Sequence, residues 1–140
     1  MTLELTAAGN AVLLAARVLF GGVLAFMSLN HFTDPESMTG YAEMKGVPAP
    51  KLSVLGSGGA LLFGGLSIAL GVYPAIGAGA LATFLLVATP MMHDFWSFDD
   101  PEQVQAEMTN FMKNVALLGA ALFFLALSEV EWAYSLGIGL

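Results

Sequence analysis

Residues 52–92 form an unbroken stretch of 41 positions without a charged side chain. One crossing of a bilayer needs about 20 consecutive apolar residues, so this stretch is long enough to cross twice. A helix pair on the surface of a soluble domain would carry a polar stripe, and this stretch has none. Lipid offers the backbone no hydrogen-bond partners, which leaves helices as the structure for such segments. The stretch therefore predicts a helical membrane protein.

The composition of the whole chain agrees with this prediction. Charged residues make up 11% of the sequence, whereas a soluble domain has about 25%. The net charge of -7 is concentrated in the short polar segments, and acidic, lysine-poor segments are typical of proteins from a very salty cytoplasm. We therefore expect a halophilic source. The absence of cysteine excludes disulfides and thiolate metal sites, and without a basic patch we expect no nucleic-acid partner.

Four apolar spans can be placed within a single expected domain of residues 1–140. They cover roughly residues 10–30, 52–71, 74–92 and 110–129. The short sequence "VYP" joins the second and third spans and predicts an antiparallel hairpin. An even number of spans puts both termini on one side of the membrane and both long connections on the other. We expect an all-α bundle of four transmembrane helices, a multi-pass protein of the cell membrane.

The two long connections resemble each other. Each contains a histidine, then an aromatic residue, then Asp-Pro-Glu. Asp34 and Asp100 are good N-cap residues, and each is followed by proline, which suits the first helical position. The repetition has two interpretations. It indicates either a duplicated two-helix unit, with halves related by an axis along the membrane normal, or a coincidence, because Asp-Pro-Glu is a common helix start.

Polar and aromatic residues collect at the ends of the spans that face the long connections. Six of them are expected at one membrane level: Asn30, His31, Tyr41, His93, Trp96 and Asn114. Such residues are normal anchors at a membrane interface. Together they also predict a half-buried pocket for a ligand such as quinone. Two histidines are too few for a metal site, so we expect no metal.

Arg17 is the only charged residue deep inside a predicted span, because Lys113 and Glu129 lie near the two ends of the fourth span. An arginine within the membrane is costly and is usually paired, or extends its side chain to the headgroups. Glu129, at the end of the fourth span, is its nearest acidic candidate by depth. The alternatives are a buried pair, extension to the headgroups, or an anchor for an anionic or carbonyl ligand.

Small residues recur at a spacing of four in two spans. Gly21 and Ala25 show it in the first span, and Gly56, Ala60 and Gly64 in the second. This spacing lets helix backbones approach closely. It predicts close packing within the bundle or a homo-oligomer formed through these faces.

Four motifs resemble those of the DoxX family of small four-helix membrane proteins. They are "RVLFGG" from Arg17, Tyr41 followed by "KGVPAP", "HDFW" from His93, and "NFMKNVALLG" from Asn110. The resemblance covers about residues 14–125. Family members often carry a glutamate before the paired glycines of the second span, where this chain has Ala60 or Leu61. The resemblance therefore supplies no acidic partner for Arg17.

The resemblance implies a role in redox metabolism. DoxX relatives include the small membrane subunit of thiosulfate:quinone oxidoreductase and membrane partners of oxidative-stress and aromatic-degradation enzymes. Three hypotheses follow: a component that binds quinone loosely at the interfacial pocket and serves a partner oxidoreductase, a non-catalytic scaffold that anchors a partner protein, and a transporter or channel. The sequence assigns no catalytic residue.

Overall fold

The computed structural model describes residues 4–139, and these fold into helices with no β-strand among them. The helices are α1 (Ala7–Met27), α2 (Leu29–Thr33), α3 (Pro35–Met44), α4 (Pro50–Leu70), α5 (Pro74–Met92) and α6 (Pro101–Leu127). A short 3-10 turn at Phe95–Ser97 precedes α6. Four segments, built on α1, α4, α5 and α6, are long and apolar enough to cross a membrane. The predicted all-α protein with four membrane spans is confirmed.

The long helices pack in chain order. Helix α1 packs against α4, α4 against α5, and α5 against α6, and the rings of Phe20 and Phe124 bring α1 and α6 together with centroids 5.2 Å apart. Successive helices run in opposite directions. One end of the bundle therefore holds the start of α1, residues 128–139 and the α4–α5 turn, and we call it the termini end. The other end, the loop end, holds residues 28–49 and 93–100.

Glycines allow the closest approaches between helices. On α4, a Cβ placed on Gly65 would lie 2.7 Å from the Ala25 nitrogen of α1, and one on Gly64 would lie 2.8 Å from Leu81 Cδ2 of α5. Gly21 faces Gly65 equally closely. By contrast, a Cβ on Gly56 would meet nothing within 4 Å. Most of the small residues with the spacing of four thus pack the bundle itself, and a homo-oligomer stays a prediction.

The two Asp-Pro-Glu sequences begin helices in the same way. Asp34 Oδ1 accepts a hydrogen bond from the Ser37 nitrogen at 3.3 Å, and Asp100 Oδ2 accepts one from the Gln103 nitrogen at 3.4 Å. Both predicted N-caps are confirmed. The paths then diverge, because α3 stops at Met44 whereas α6 continues unbroken to Leu127. The shared start is a local feature, and duplication of a two-helix unit stays a prediction.

Candidate functional site at the loop end

Arg17 is fully buried near the termini end, where its partners are backbone carbonyl groups. Its side chain is 0% exposed. Nε donates to the Ile68 oxygen at 3.1 Å, and Nη2 donates to the Ala69 oxygen at 2.9 Å. Nη1 donates to the Ala133 oxygen at 2.9 Å, and the guanidinium carbon lies 5.1 Å from the ring centroid of Trp132. Arg17 therefore joins α1 to the end of α4 and to the C-terminal segment.

The end of α4 explains why this arrangement is stable. The last four carbonyl groups of a helix have no partner within the helix and carry its negative dipole end. In α4, Arg17 satisfies two of them, Leu136 N–H binds the Leu70 oxygen at 2.9 Å, and Gly71 N–H binds the Ser67 oxygen at 2.9 Å. These carbonyl dipoles take the place of an acidic partner for the buried charge.

Glu129, the acidic candidate suggested by the sequence, does not pair with Arg17. Glu129 is exposed, and no salt bridge among residues 4–139 includes Arg17 or Glu129. Extension of Arg17 to the headgroups is equally excluded by its complete burial. Arg17 and Glu129 were matched because they are expected at a similar depth in the membrane. The carbonyl groups of α4 and of the C-terminal segment, however, bind the guanidinium directly.

At the loop end, two neighbouring residues connect three helices. His93 is the C-cap of α5, and its Nδ1 lies 2.8 Å from Oε2 of Glu107, in the second turn of α6. Asp94 follows directly, and its Oδ1 accepts a hydrogen bond from Lys45 Nζ at 2.6 Å. Lys45 ends α3. The end of α5 is therefore bound to both long connections.

Lys45 lies in a partly aromatic environment. Its side chain is 13% exposed, and Nζ lies 4.8 Å from the ring centroid of Phe98 and 5.8 Å from that of Tyr41. Burial by itself lowers the pKa of Lys45, but the hydrogen bond to Asp94, with the fields of Tyr41, Asp94 and Glu107, outweighs burial and raises this pKa above its ordinary value. Lys45 therefore stays charged, and its ion pair with Asp94 links the two long connections. We call this ion pair the clamp.

Three aromatic rings form a cluster next to the His93–Glu107 hydrogen bond. The centroid of Phe95 lies 5.2 Å from that of Trp96 and 5.5 Å from that of Phe111, and Trp96 and Phe111 are 6.0 Å apart. Phe111 is four residues after Glu107 and so lies on the same face of α6. Trp96 is 60% exposed. The cluster presents an open aromatic surface beside a polar pair.

The two histidines make contacts with different helices, and the predicted pocket that contains both stays a prediction. His31 packs over Gly58 of α4, where an added Cβ would lie 2.6 Å from the His31 Cβ. Its Nδ1 is buried and has no hydrogen-bond partner within the described part of the chain. His93 instead binds α6 through Glu107. No hydrogen bond within residues 4–139 joins His31 to His93, and the two rings belong to different helix contacts.

The other predicted site residues are divided between these surroundings. Asn30 is exposed on α2, Tyr41 lies against Lys45, and Trp96 belongs to the aromatic cluster. Asn114 is half-buried on α6, seven residues beyond Glu107 and hence about two turns deeper. Of the six residues, His93 and Trp96 belong to the site formed by the polar pair and the aromatic cluster.

Sequence reasoning missed Glu107 and Phe111. The position of Glu107 along the bundle could have been predicted, because a helix that starts after Asp100 places this carboxylate in its second turn, at the loop end. The direction in which it points depends on how α6 packs against α5. The outer face of α6, from Pro101 to Ala116, also carries two shallow depressions that include neither histidine.

Comparisons with known proteins give a family. A family model described as DoxX matches residues 12–94, which is more than half of the chain. No curated protein and no solved structure matches the chain. The matched region runs from α1 to Asp94 and includes Arg17 and Lys45, whereas Glu107 and the motif at residues 110–119 lie beyond it. With the four membrane spans, this match shows that the chain belongs to the DoxX family of membrane proteins.

Proposed function

We propose that this DoxX-family protein is a membrane component of redox metabolism that binds the ring of a quinone at the loop end and serves a partner oxidoreductase. The observation that supports this proposal is the hydrogen bond between His93 and Glu107 beside the open aromatic surface. A ligand site of this kind combines a mostly apolar surface with a few placed polar groups.

The chemistry of a quinone suits this arrangement. Its isoprenoid tail partitions into lipid, and its ring carries two oxygens on a flat apolar frame. The aromatic cluster offers stacking and edge contacts to such a ring, and His93 offers a hydrogen-bonding nitrogen to one ring oxygen. A quinone site alone completes no reaction, because electrons need a second redox centre. The proposal therefore assigns that centre to a partner oxidoreductase.

The test is a titration of purified protein in detergent with a short-chain benzoquinone in its oxidised and reduced forms. We expect His93→Ala to weaken binding about tenfold for whichever of the two forms makes a hydrogen bond to His93, since one hydrogen bond contributes about 1 kcal/mol. His31→Ala is the matched control and should leave the affinity unchanged, because His31 packs against α4 instead. Circular dichroism and gel filtration would verify that both variants fold. Equal affinity of wild type and His93→Ala for both forms, or no binding of either form, would contradict the proposal.

A second candidate function is a scaffold without a ligand. Six carboxylate residues are exposed at the loop end: Asp34, Glu36, Glu43, Asp99, Asp100 and Glu102. The depressions on the outer face of α6 add a surface on which a partner protein can dock. A pull-down from native membranes in high salt separates the two functions. A co-purified chain without quinone favours the scaffold, and co-purified quinone favours the ligand site.

A further inference from the structure

The partner of His93 determines which of its ring nitrogens carries the proton. Nδ1 lies 2.8 Å from Glu107 Oε2, and an ionised carboxylate only accepts hydrogen bonds. The proton of a neutral imidazole is therefore on Nδ1, and the other nitrogen, Nε2, is an acceptor. Glu107 acts as a positioning residue, because it sets the tautomer of His93.

The remaining nitrogen is available to a ligand. His93 Nε2 makes no hydrogen bond within residues 4–139, and it is not among the buried polar atoms that lack a partner. The side chain of His93 is 25% exposed. An acceptor thus lies open at the loop end, on the residue two positions before Phe95 of the aromatic cluster.

An acceptor distinguishes between the two redox forms of the ligand. The oxygens of a quinone are carbonyl acceptors and form no hydrogen bond with Nε2, whereas a quinol hydroxyl donates to it. We infer that the site prefers the reduced, hydroxyl-bearing form, a quinol. This inference rests on the proposed quinone site and specifies its ligand.

The neighbouring donors do not reverse this preference. Lys45 Nζ is held by Asp94 at 2.6 Å, which leaves its charge neutralised within the clamp. The indole N–H of Trp96 is a donor, but oxygens of a quinone and of a quinol both accept from it. These donors therefore do not separate the two forms, whereas the acceptor on His93 does.

The binding test compares three ligands with one ring and one tail: a short-chain benzoquinol, its quinone, and the dimethyl ether of the quinol. The ether keeps the ring and both oxygens of the quinol but has no donor, and it cannot be oxidised to the quinone by simple electron loss. The quinone lacks the two added methyl groups and so controls for their bulk. We expect the quinol to bind about tenfold more tightly than either of the others, as one hydrogen bond provides. In Glu107→Gln the ratio should fall towards one, because an amide both donates and accepts and so permits either tautomer.

A spectroscopic measurement tests the tautomer without any ligand. The chain has two histidines, so a His31→Gln background, purified without a histidine tag, leaves His93 as the only imidazole. Nitrogen-15 chemical shifts of the neutral ring should place the proton on Nδ1. Adding Glu107→Gln should give a mixture of tautomers.

The outcomes are distinguishable. Tighter binding of the quinol, lost in Glu107→Gln, together with a proton on Nδ1, supports the inference. Measurable binding of the quinone that equals or exceeds that of the quinol overturns the preference and leaves the proposed function standing. No binding of any of the three ligands overturns the proposed function and the preference with it. A proton on Nε2 overturns the positioning role of Glu107.

Discussion

The two ends of the bundle differ in how completely their buried polar groups are hydrogen-bonded. At the termini end, the charge of Arg17 and the last carbonyl groups of α4 satisfy one another, and the Tyr73 nitrogen binds the Ile138 oxygen at 2.7 Å. In the described chain, the buried side-chain atoms without a partner are His31 Nδ1, Thr39 Oγ1 and Thr89 Oγ1, and all three lie in the loop half. Unsatisfied buried groups are uncommon in native structures, and each one needs an explanation other than stability, such as a functional role. The termini end is built for stability, and the loop end retains free polar groups.

The largest effect should come from removing the charge at the termini end. Arg17→Met leaves the Ile68 and Ala69 carbonyl groups buried without donors. We expect a loss of about 3 kcal/mol in the free energy of unfolding, since each such group costs about 1–3 kcal/mol. Unfolding in mixed detergent micelles would measure this loss, and limited proteolysis should show release of the C-terminal segment.

The matched control for this variant is Glu129→Gln. Glu129 is exposed and makes no ion pair with Arg17, so its substitution should change stability by less than about 0.5 kcal/mol. A loss in Glu129→Gln as large as that in Arg17→Met would support the pairing with Glu129 that the sequence left open. It would also remove the contrast between the two ends.

A smaller effect is expected from the clamp at the loop end. Lys45→Met and Asp94→Asn, combined in a double-mutant cycle, should give a coupling energy of about 1 kcal/mol, the upper range for a pair that is not fully buried. Burial lowers the pKa of Lys45, but its contacts with Asp94 and neighbouring groups outweigh burial, so this pKa lies above the ordinary value of lysine. A raised folded-state pKa means that the stabilisation is complete below the ordinary pKa of lysine and is lost as the pH rises through the folded value.

The pH dependence provides the check on this clamp. Unfolding measured from neutral to alkaline pH should show a coupling that is constant near neutrality and declines only in the alkaline range. Lys113→Met is the control, because Lys113 is exposed on α6 and belongs to no ion pair among the described residues. A coupling that disappears on mild acidification instead would show that another group controls the clamp.

The smallest expected effect is a gain in stability. Thr89 is 4% exposed and its hydroxyl has no hydrogen-bond partner among residues 4–139, so Thr89→Val removes an unsatisfied group at nearly constant shape. We expect an increase of about 0.5 kcal/mol in the free energy of unfolding. Thr83→Val on the same helix is the control, because the Thr83 hydroxyl is exposed and donates to the Gly79 oxygen at 2.8 Å, and it should give no gain. A loss in Thr89→Val would mean that the hydroxyl binds a partner.

The sequence by itself determined the membrane spans, their number and the starts of two helices. The charge-free stretch of residues 52–92 required two crossings, and an even number of spans placed both long connections at one end. Asp34 and Asp100 marked helix starts correctly. These features are readable because hydrophobic length and N-cap chemistry are local properties of the chain.

Only the tertiary structure decided which polar groups meet. A change of one residue rotates a side chain by about 100° around a helix, so membrane depth alone did not reveal that Arg17 binds carbonyl groups instead of Glu129. In the same way, both histidines lie at the loop end, yet His31 packs against α4 and His93 pairs with Glu107 of α6. Contacts between helices depend on the rotation and packing of each helix, and these follow from close packing of residues far apart in the chain.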